Sequence, residues 1–475
     1  MHRLPAVIGL SFVLILLSGC SGMMERHPEN VPLVRVETHK QAIGLQARGS
    51  GEVLLVLTFS GGGSRAAALA YGVLEALRDT PLLSNDQQAS LLDEVDMISA
   101  VSGGSITAAY YGLFGERLFS DFREDFLHHN VTAELKDIVL SAGTLTRLSS
   151  ETFGTGDVLD EYFRKQLFGS ATLDRLLDAQ GPFVQINATD LFKGGQFGFT
   201  TDQFALICSD TSKFPVSRAV AASSAVPLLF TPITLTNHAG SCNYAPPQWL
   251  QQGLQEKGIQ NRRFRIANYL NSYLERDAHP YIHLVDGGLA DNLGLRAVMD
   301  YIVIEGGLWN TLRRFNLTEA QNFLLISVDA SALLPSQWEQ SPNEPPTTAI
   351  LDAATTTPLV NNNFETLEYL HNHLQGWRDE LEQHKCQGVS KCSAPEIYHI
   401  ALHLEDVVDP ALRKRLTSVP TDFALEPKLV GELIDAGHEL LYNHPEFQRW
   451  LGDNGVDRQV RLPVTSNGAN RNQER

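Results

Sequence analysis

The chain has 475 residues, with 37 Lys and Arg against 55 Asp and Glu, a formal net charge of −18. That balance disfavours a nucleic-acid binder and any broad electrostatic hold on anionic lipid. Hydrophobic residues make up 43% of the chain, enough for a large globular core.

From the N-terminus, Met1-His2-Arg3 is a short basic start, and Leu4 to Leu17 is almost wholly apolar. A basic region, a short apolar region and small residues after it predict a secretory signal, too short for a comfortable membrane span. Leu17-Ser18-Gly19-Cys20 resembles the bacterial lipoprotein box. That resemblance implies a signal peptide over 1–19 and a lipidated Cys20 at the mature terminus. It places the protein lipid-anchored in the bacterial cell envelope. Ser21 is not an aspartate, which points to the outer membrane. Residues 20–50 then read as the lipidated cysteine, a polar tether and a lead-in.

The folded body is expected over 51–451, with strands at 53–58, 95–100, 183–190, 196–201, 282–286, 323–329 and 397–404. Buried strands alternating with helices predict an α/β fold, three-layer α/β/α, with a central mixed, mostly parallel sheet. The Gly-rich approach to Phe197 predicts a hairpin, hence the mixed character. Spacings of three and four between apolar residues predict an amphipathic helix over 425–441.

The first strand runs into Ser60-Gly61-Gly62-Gly63-Ser64-Arg65 and an Ala-rich helix. Consecutive glycines ahead of a helix expose backbone N–H groups to a negative charge, helped by the helix dipole. A phosphate loop would need a Lys-Ser/Thr pair or a G-x-G-x-x-G spacing, and neither is present. Gly61, Gly62, Gly63 and Arg65 therefore read as an oxyanion hole, with Arg65 orienting the loop or adding charge. Gly103 is a further candidate donor.

The second strand ends at Ala100-Val101-Ser102-Gly103-Gly104. A helix with small first residues follows, so Ser102 tops a tight strand-to-helix turn. The usual G-x-S-x-G pattern has Ala100 at its first glycine and Gly104 at its second. Further on, Leu284-Val285-Asp286-Gly287-Gly288 is a strand running into a glycine turn. Asp286 then sits at the strand's carboxyl end, where it can take the Ser102 proton or close its own turn.

In this order, Gly61 to Arg65, the Ser102 turn and Asp286-Gly287-Gly288 resemble the patatin-like phospholipase family. Asn187-Ala188-Thr189-Asp190 and Arg218 to Pro227 also resemble it. The resemblance implies a patatin-like fold, Ser102 as nucleophile, Asp286 as its partner in a Ser–Asp dyad, and an oxyanion hole at Gly61 to Arg65. It also implies a membrane lipid or lipid ester as substrate.

A serine hydrolase can instead use a histidine base. The chain has 15 histidines. Strand alternation puts His283 on the face opposite Asp286, as a packed or hydrogen-bonded residue. His238, His279, His371, His373, His384, His438 and His444 lie in no loop-after-strand motif. The dyad is preferred, with the triad left open.

Besides Cys20, four cysteines remain in an exported chain, which suggests disulfides. Cys386 and Cys392, six residues apart in a polar loop, are the expected pair, leaving Cys208 with Cys242. With no C-x-x-C and no His/Cys cluster, no metal and no cofactor are expected. Two insertions, near 236–280 and 331–385, read as plain surface or as a border of the active site. Residues 452–475 read as a mobile polar tail.

The combined expectation is a serine acyl hydrolase cleaving phospholipid or other lipid esters. The alternatives are a general esterase or thioesterase on soluble esters, and a non-catalytic envelope-binding lipoprotein.

Overall fold

Continuous apolar runs can be buried on both faces, and the central strands use this. In the computed structural model, β1 (Val53–Phe59) sends Leu55, Leu57 and Phe59 into one core and Leu54 and Val56 into another. The period of two along a strand makes this division. The structure describes residues 30–35 and 47–456, apart from 85–86, 178–180, 259, 332–337, 339–340, 388–391 and 393–394. The expected signal peptide over 1–19, Cys20 and residues 457–475 lie outside the described residues.

In chain order, β1 leads through the glycine loop into α1 (Gly63–Arg78), and β2 (Val95–Val101) leads directly into α2 (Ser102–Phe114). Next come β3 (Phe183–Asp190), β4 (Gln196–Gly198), α3 (Val216–Ser223) and β5 (Ile233–Thr236). α4 (Arg262–Asn271), β6 (Tyr281–Asp286), α5 (Gly288–Asp291) and α6 (Leu295–Glu305) follow. β7 (Asn322–Asp329), α7 (Thr347–Cys386), β8 (Glu396–His403) and α8 (Pro427–Asn443) complete the main elements.

The sheet order is β8-β7-β1-β2-β3-β6-β5, with β4 paired to β3. The five strands from β8 to β3 are parallel to their neighbours. β4 and β6 run antiparallel to β3, and β5 antiparallel to β6. The register sets Val101 beside Asn187 and Ala188 beside Asp286. The ends of β2 and β6, one arriving from each direction, therefore meet at one level of the sheet.

Helices α1, α2, α3 and α8 cover one face, and α6 and α7 the other. α1 and α8 cross at backbone contact: a Cβ on Gly72 would lie 2.3 Å from the Ile434 carbonyl oxygen.

The expected strands are present, with some departures. The strand expected over 196–201 ends at Gly198, because the Thr200 side chain caps a helix by accepting from the Gln203 N–H. β5 was not expected; it is four residues long and lies between proline and asparagine. Within the insertion near 331–385, one helix of 40 residues, α7, runs through Pro358. At the chain's end, Gly452 and Asp453 are helical and Val456 is buried, so the folded body extends to residue 456.

Both disulfides are formed. The Cα atoms are 5.5 Å apart in Cys208–Cys242 and 5.3 Å apart in Cys386–Cys392.

Candidate active site

Ser102 joins β2 to α2 with φ 49, one of six non-glycine residues with positive φ among the described residues. L-residues avoid this region, so such a backbone is held only where the surroundings enforce it. Three glycines enforce it here. A Cβ on Gly103 would stand 1.9 Å from the Gly63 carbonyl oxygen, and one on Gly104 would stand 2.7 Å from both Phe59 Cβ and the Ser60 carbonyl oxygen. Gly61 lies against the Ser102 side chain, its Cβ position 3.3 Å from Ser102 Cβ. The glycine loop and the Ser102 turn thus pack backbone to backbone. Ala100 is fully buried in the core beneath the turn.

The Ser102 N–H is held by Ser223 at the end of α3. Ser223 Oγ accepts it at 2.8 Å and donates to the Asn187 carbonyl at 2.6 Å. The same segment positions Asp286, whose N–H donates to the Ala225 carbonyl at 2.9 Å. Gly287 N–H donates to the Ser223 carbonyl at 3.1 Å. The Arg218 to Pro227 stretch is therefore the clamp that sets Ser102 against Asp286. Its own base is ionic: Arg218 is buried and bonds Asp157 at 2.8 Å.

The Asp286 carboxyl is 8% exposed. Burial raises its pKa from 3.8 to about 6, against the downward pull of hydrogen bonds from the Ser102 side chain and the Gly288 N–H. The Gly288 bond measures 2.8 Å. A carboxylate in hydrogen-bond contact with a serine hydroxyl, and titrating near neutrality, is suited to exchange a proton with it.

Of the residues expected to line an oxyanion hole, two are otherwise engaged. The Gly61 N–H donates to the Asn292 carbonyl at 3.1 Å. Arg65 is buried, with Nε on the Ala330 carbonyl at 2.7 Å, Nη1 on the Val419 carbonyl and Nη2 on Thr421. Burial lowers its pKa to about 10, with Asp329 opposing. Arg65 therefore fixes the loop and does not add charge at its mouth. The N–H groups of Gly62 and Gly63, where φ is 141 and 58, have no hydrogen-bond partner among the described residues. The Gly103 N–H, at the first turn of α2, packs against this loop.

No histidine among the described residues bonds to Ser102 or Asp286. His283 meets Thr234 Oγ1 at 3.0 Å, on the face away from Asp286 as expected. His238 meets the Asn30 carbonyl, His438 meets Glu75, and His403 pairs with Asp329 at 3.3 Å.

Ser223, Asn292 and Ser331 escaped the sequence reading. Asn292 Nδ2 and Asn363 Nδ2 each donate to Ser331 Oγ at 2.9 Å, which ties α7 to the glycine loop. α7 also packs Leu359 against Gly288. The second insertion does border the site.

No curated protein matches the chain. Among solved structures, human GIVD cytosolic phospholipase A2 is similar at 13% identity and TM-score 0.42 over 87% of this chain. VipD from Legionella pneumophila is similar at 12% identity and TM-score 0.27 over 88% of this chain and 73% of its own. The chain spans 60% of the length of the cytosolic phospholipase structure. The family model for patatin-like phospholipase matches residues 57–299, just over half of the chain and the whole distance from the glycine loop to α6. The chain belongs to the patatin-like phospholipase family.

Proposed function

We propose that the protein is a serine hydrolase that cleaves lipid esters, phospholipids foremost, through a Ser102–Asp286 dyad. Ser102 Oγ attacks the ester carbonyl carbon as its proton passes to Asp286. The tetrahedral oxyanion is held by the N–H groups of Gly62, Gly63 and Gly103. The carbonyl re-forms, the bond to the alcohol breaks, and Asp286 returns the proton to the leaving oxygen. Water then attacks the acyl-serine, with its proton going to Asp286 and on to Ser102 as the acid departs. The observation that carries this reading is Ser102 at φ 49 with its hydroxyl on the buried Asp286 carboxyl, beside two N–H groups with no partner among the described residues.

The lipid substrate is supported by family membership and by the sequence before the body. We place the protein on a membrane through Cys20, in the bacterial outer membrane. Asn30 bonds Ser209 at 2.7 Å and Thr236 at 2.9 Å, so the lead-in docks at the end of β5. Nine residues lie between Cys20 and Asn30, ten chain steps with a reach of at most about 36 Å. The body on such a tether stays within one molecular diameter of the bilayer.

Comparing micellar phospholipid with short p-nitrophenyl esters tests the substrate class. The proposal expects a higher kcat/KM on phospholipid. Turnover confined to the soluble esters contradicts it. Cys20→Ser should release the protein from the membrane fraction or block its processing, and unchanged fractionation contradicts the anchor.

A further inference from the structure

A cavity of about 1000 Å³ lies on the sheet face opposite the α2 core. On β3, Val184, Ile186 and Ala188 face the α2 core, while Gln185 lines this cavity. Its walls come from both insertions, α4 from the first and α7 from the second, closed by α6. The dyad chemistry uses none of it.

The cavity is cationic within a chain of net charge −18. Five cationic side chains line it against three carboxylates. α4 presents Arg262 and Arg265 one turn apart, and α6 presents Arg296 and Asp300 one turn apart. Arg262 bonds Asp300 at 2.9 Å and lies over the Tyr369 ring of α7, 4.4 Å from its centroid. Arg296 Nε donates to Thr366 at 3.2 Å. The nearby Asp291 carboxyl is occupied by the Arg296 backbone N–H at 2.8 Å. Burial raises the Asp300 pKa, and Arg262, Arg296 and Arg265 pull it down, so three guanidinium groups converge on one carboxylate. The Arg265 side chain has neither a hydrogen bond nor an ion pair among the described residues.

An apolar pocket adjoins this cavity behind Tyr301, with Met97, Phe183, Val298, Ile302 and Phe315 on its walls. Tyr301 lines both spaces, its hydroxyl on Gln185 at 3.2 Å. A ligand with a doubly charged anionic head and a hydrocarbon arm matches this pairing. Two positive charges in excess suit a phosphate dianion, and guanidinium groups bind phosphate oxygens in bidentate fashion.

We propose that the cavity is a second ligand site, for an alkyl or acyl phosphomonoester, with the phosphate on Arg265 and Arg296 and the apolar arm behind Tyr301. The site stands apart from the dyad and does not rest on the acyl-hydrolase reading.

The test is calorimetric titration of the full chain in lipid nanodiscs, corrected against empty discs, with hexyl phosphate, inorganic phosphate and hexanol. Hexyl phosphate should bind once per chain, with inorganic phosphate at least about tenfold weaker and hexanol not saturable. Arg265→Ala, which breaks no contact of the fold, should weaken hexyl phosphate by about tenfold, the effect of one charge-assisted hydrogen bond. Ser102→Ala should leave binding unchanged. Absence of saturable hexyl phosphate binding, or binding indifferent to Arg265→Ala, overturns the site. Equal binding of hexyl phosphate and inorganic phosphate overturns the apolar arm. Loss of binding in Ser102→Ala overturns its separation from the dyad. Serine labelling by an alkyl phosphonate reads the dyad independently, so the two proposals fail separately.

Discussion

In the proposed dyad Asp286 acts as a base while buried, and that burial raises its pKa from 3.8 to about 6. The charged form is the one that accepts the Ser102 proton. The acid limb of kcat/KM should therefore fall near pH 6, well above an ordinary aspartate. Asp286→Asn should lower kcat by about 10²–10⁴, the range for losing a general base. The same change bears on stability with a definite sign. A folded pKa above the unfolded 3.8 means that the folded state binds more protons between pH 3.8 and about 6, so stability falls as pH rises through that window. The displacement corresponds to about 3 kcal/mol at most. Asp286→Asn should thus raise Tm at pH 8 relative to the parent and leave it nearly unchanged at pH 3.5. Thermal melts at the two pH values check this, and a lower Tm at pH 8 contradicts it.

At the scale of elements, the site is a junction of four chain segments held by backbone contacts. The Ser102 and Asp286 turns were legible because each is a short apolar strand running into glycines, a local pattern. Ser223 was not, since its place under Ser102 arises from α3 packing 121 residues away in sequence. Nor could Gly61 be told from Gly62 and Gly63: its N–H is taken by Asn292, a contact 231 residues distant. Arg65 was read as orienting the loop or adding charge; a carbonyl on β7's exit and two groups near 419–421 engage Nε, Nη1 and Nη2, which leaves the orienting role. Ser223→Ala leaves the Ser102 N–H without its acceptor, a penalty of about 1–3 kcal/mol for a buried donor. It should cut kcat more than it changes KM, and loss confined to KM contradicts the clamp. Arg65→Ala should destabilise by at least about as much, through three orphaned acceptors, with a parallel loss of activity as the loop loosens.

Across the whole molecule, the parallel strands were legible from their unbroken apolar runs. β5 escaped because Ile-Thr-Leu-Thr is too short to carry a period. The start of α7 escaped because a threonine run and Pro358 conceal a helix that tertiary packing through Leu370, Leu374 and Leu381 sustains. The two disulfides differ in what they restrain. Cys208–Cys242 closes a separation of 34 residues and Cys386–Cys392 one of 6. Chain entropy assigns about 4 kcal/mol to the first and about 2 kcal/mol to the second. Cys208→Ser with Cys242→Ser should therefore lower the denaturation midpoint more than the corresponding change at 386 and 392. The reverse order would contradict the chain-entropy ranking.

The central claim is that Ser102 is an activated nucleophile driven by Asp286. Reaction with a fluorescent alkyl fluorophosphonate, followed by peptide mapping, tests it most directly because it needs no knowledge of the natural ester. The account predicts a single adduct on the peptide carrying Ser102, absent from Ser102→Ala and formed at least about 100-fold more slowly in Asp286→Asn. An adduct on another serine, undiminished labelling of Ser102→Ala, or parental labelling rates in Asp286→Asn would contradict it.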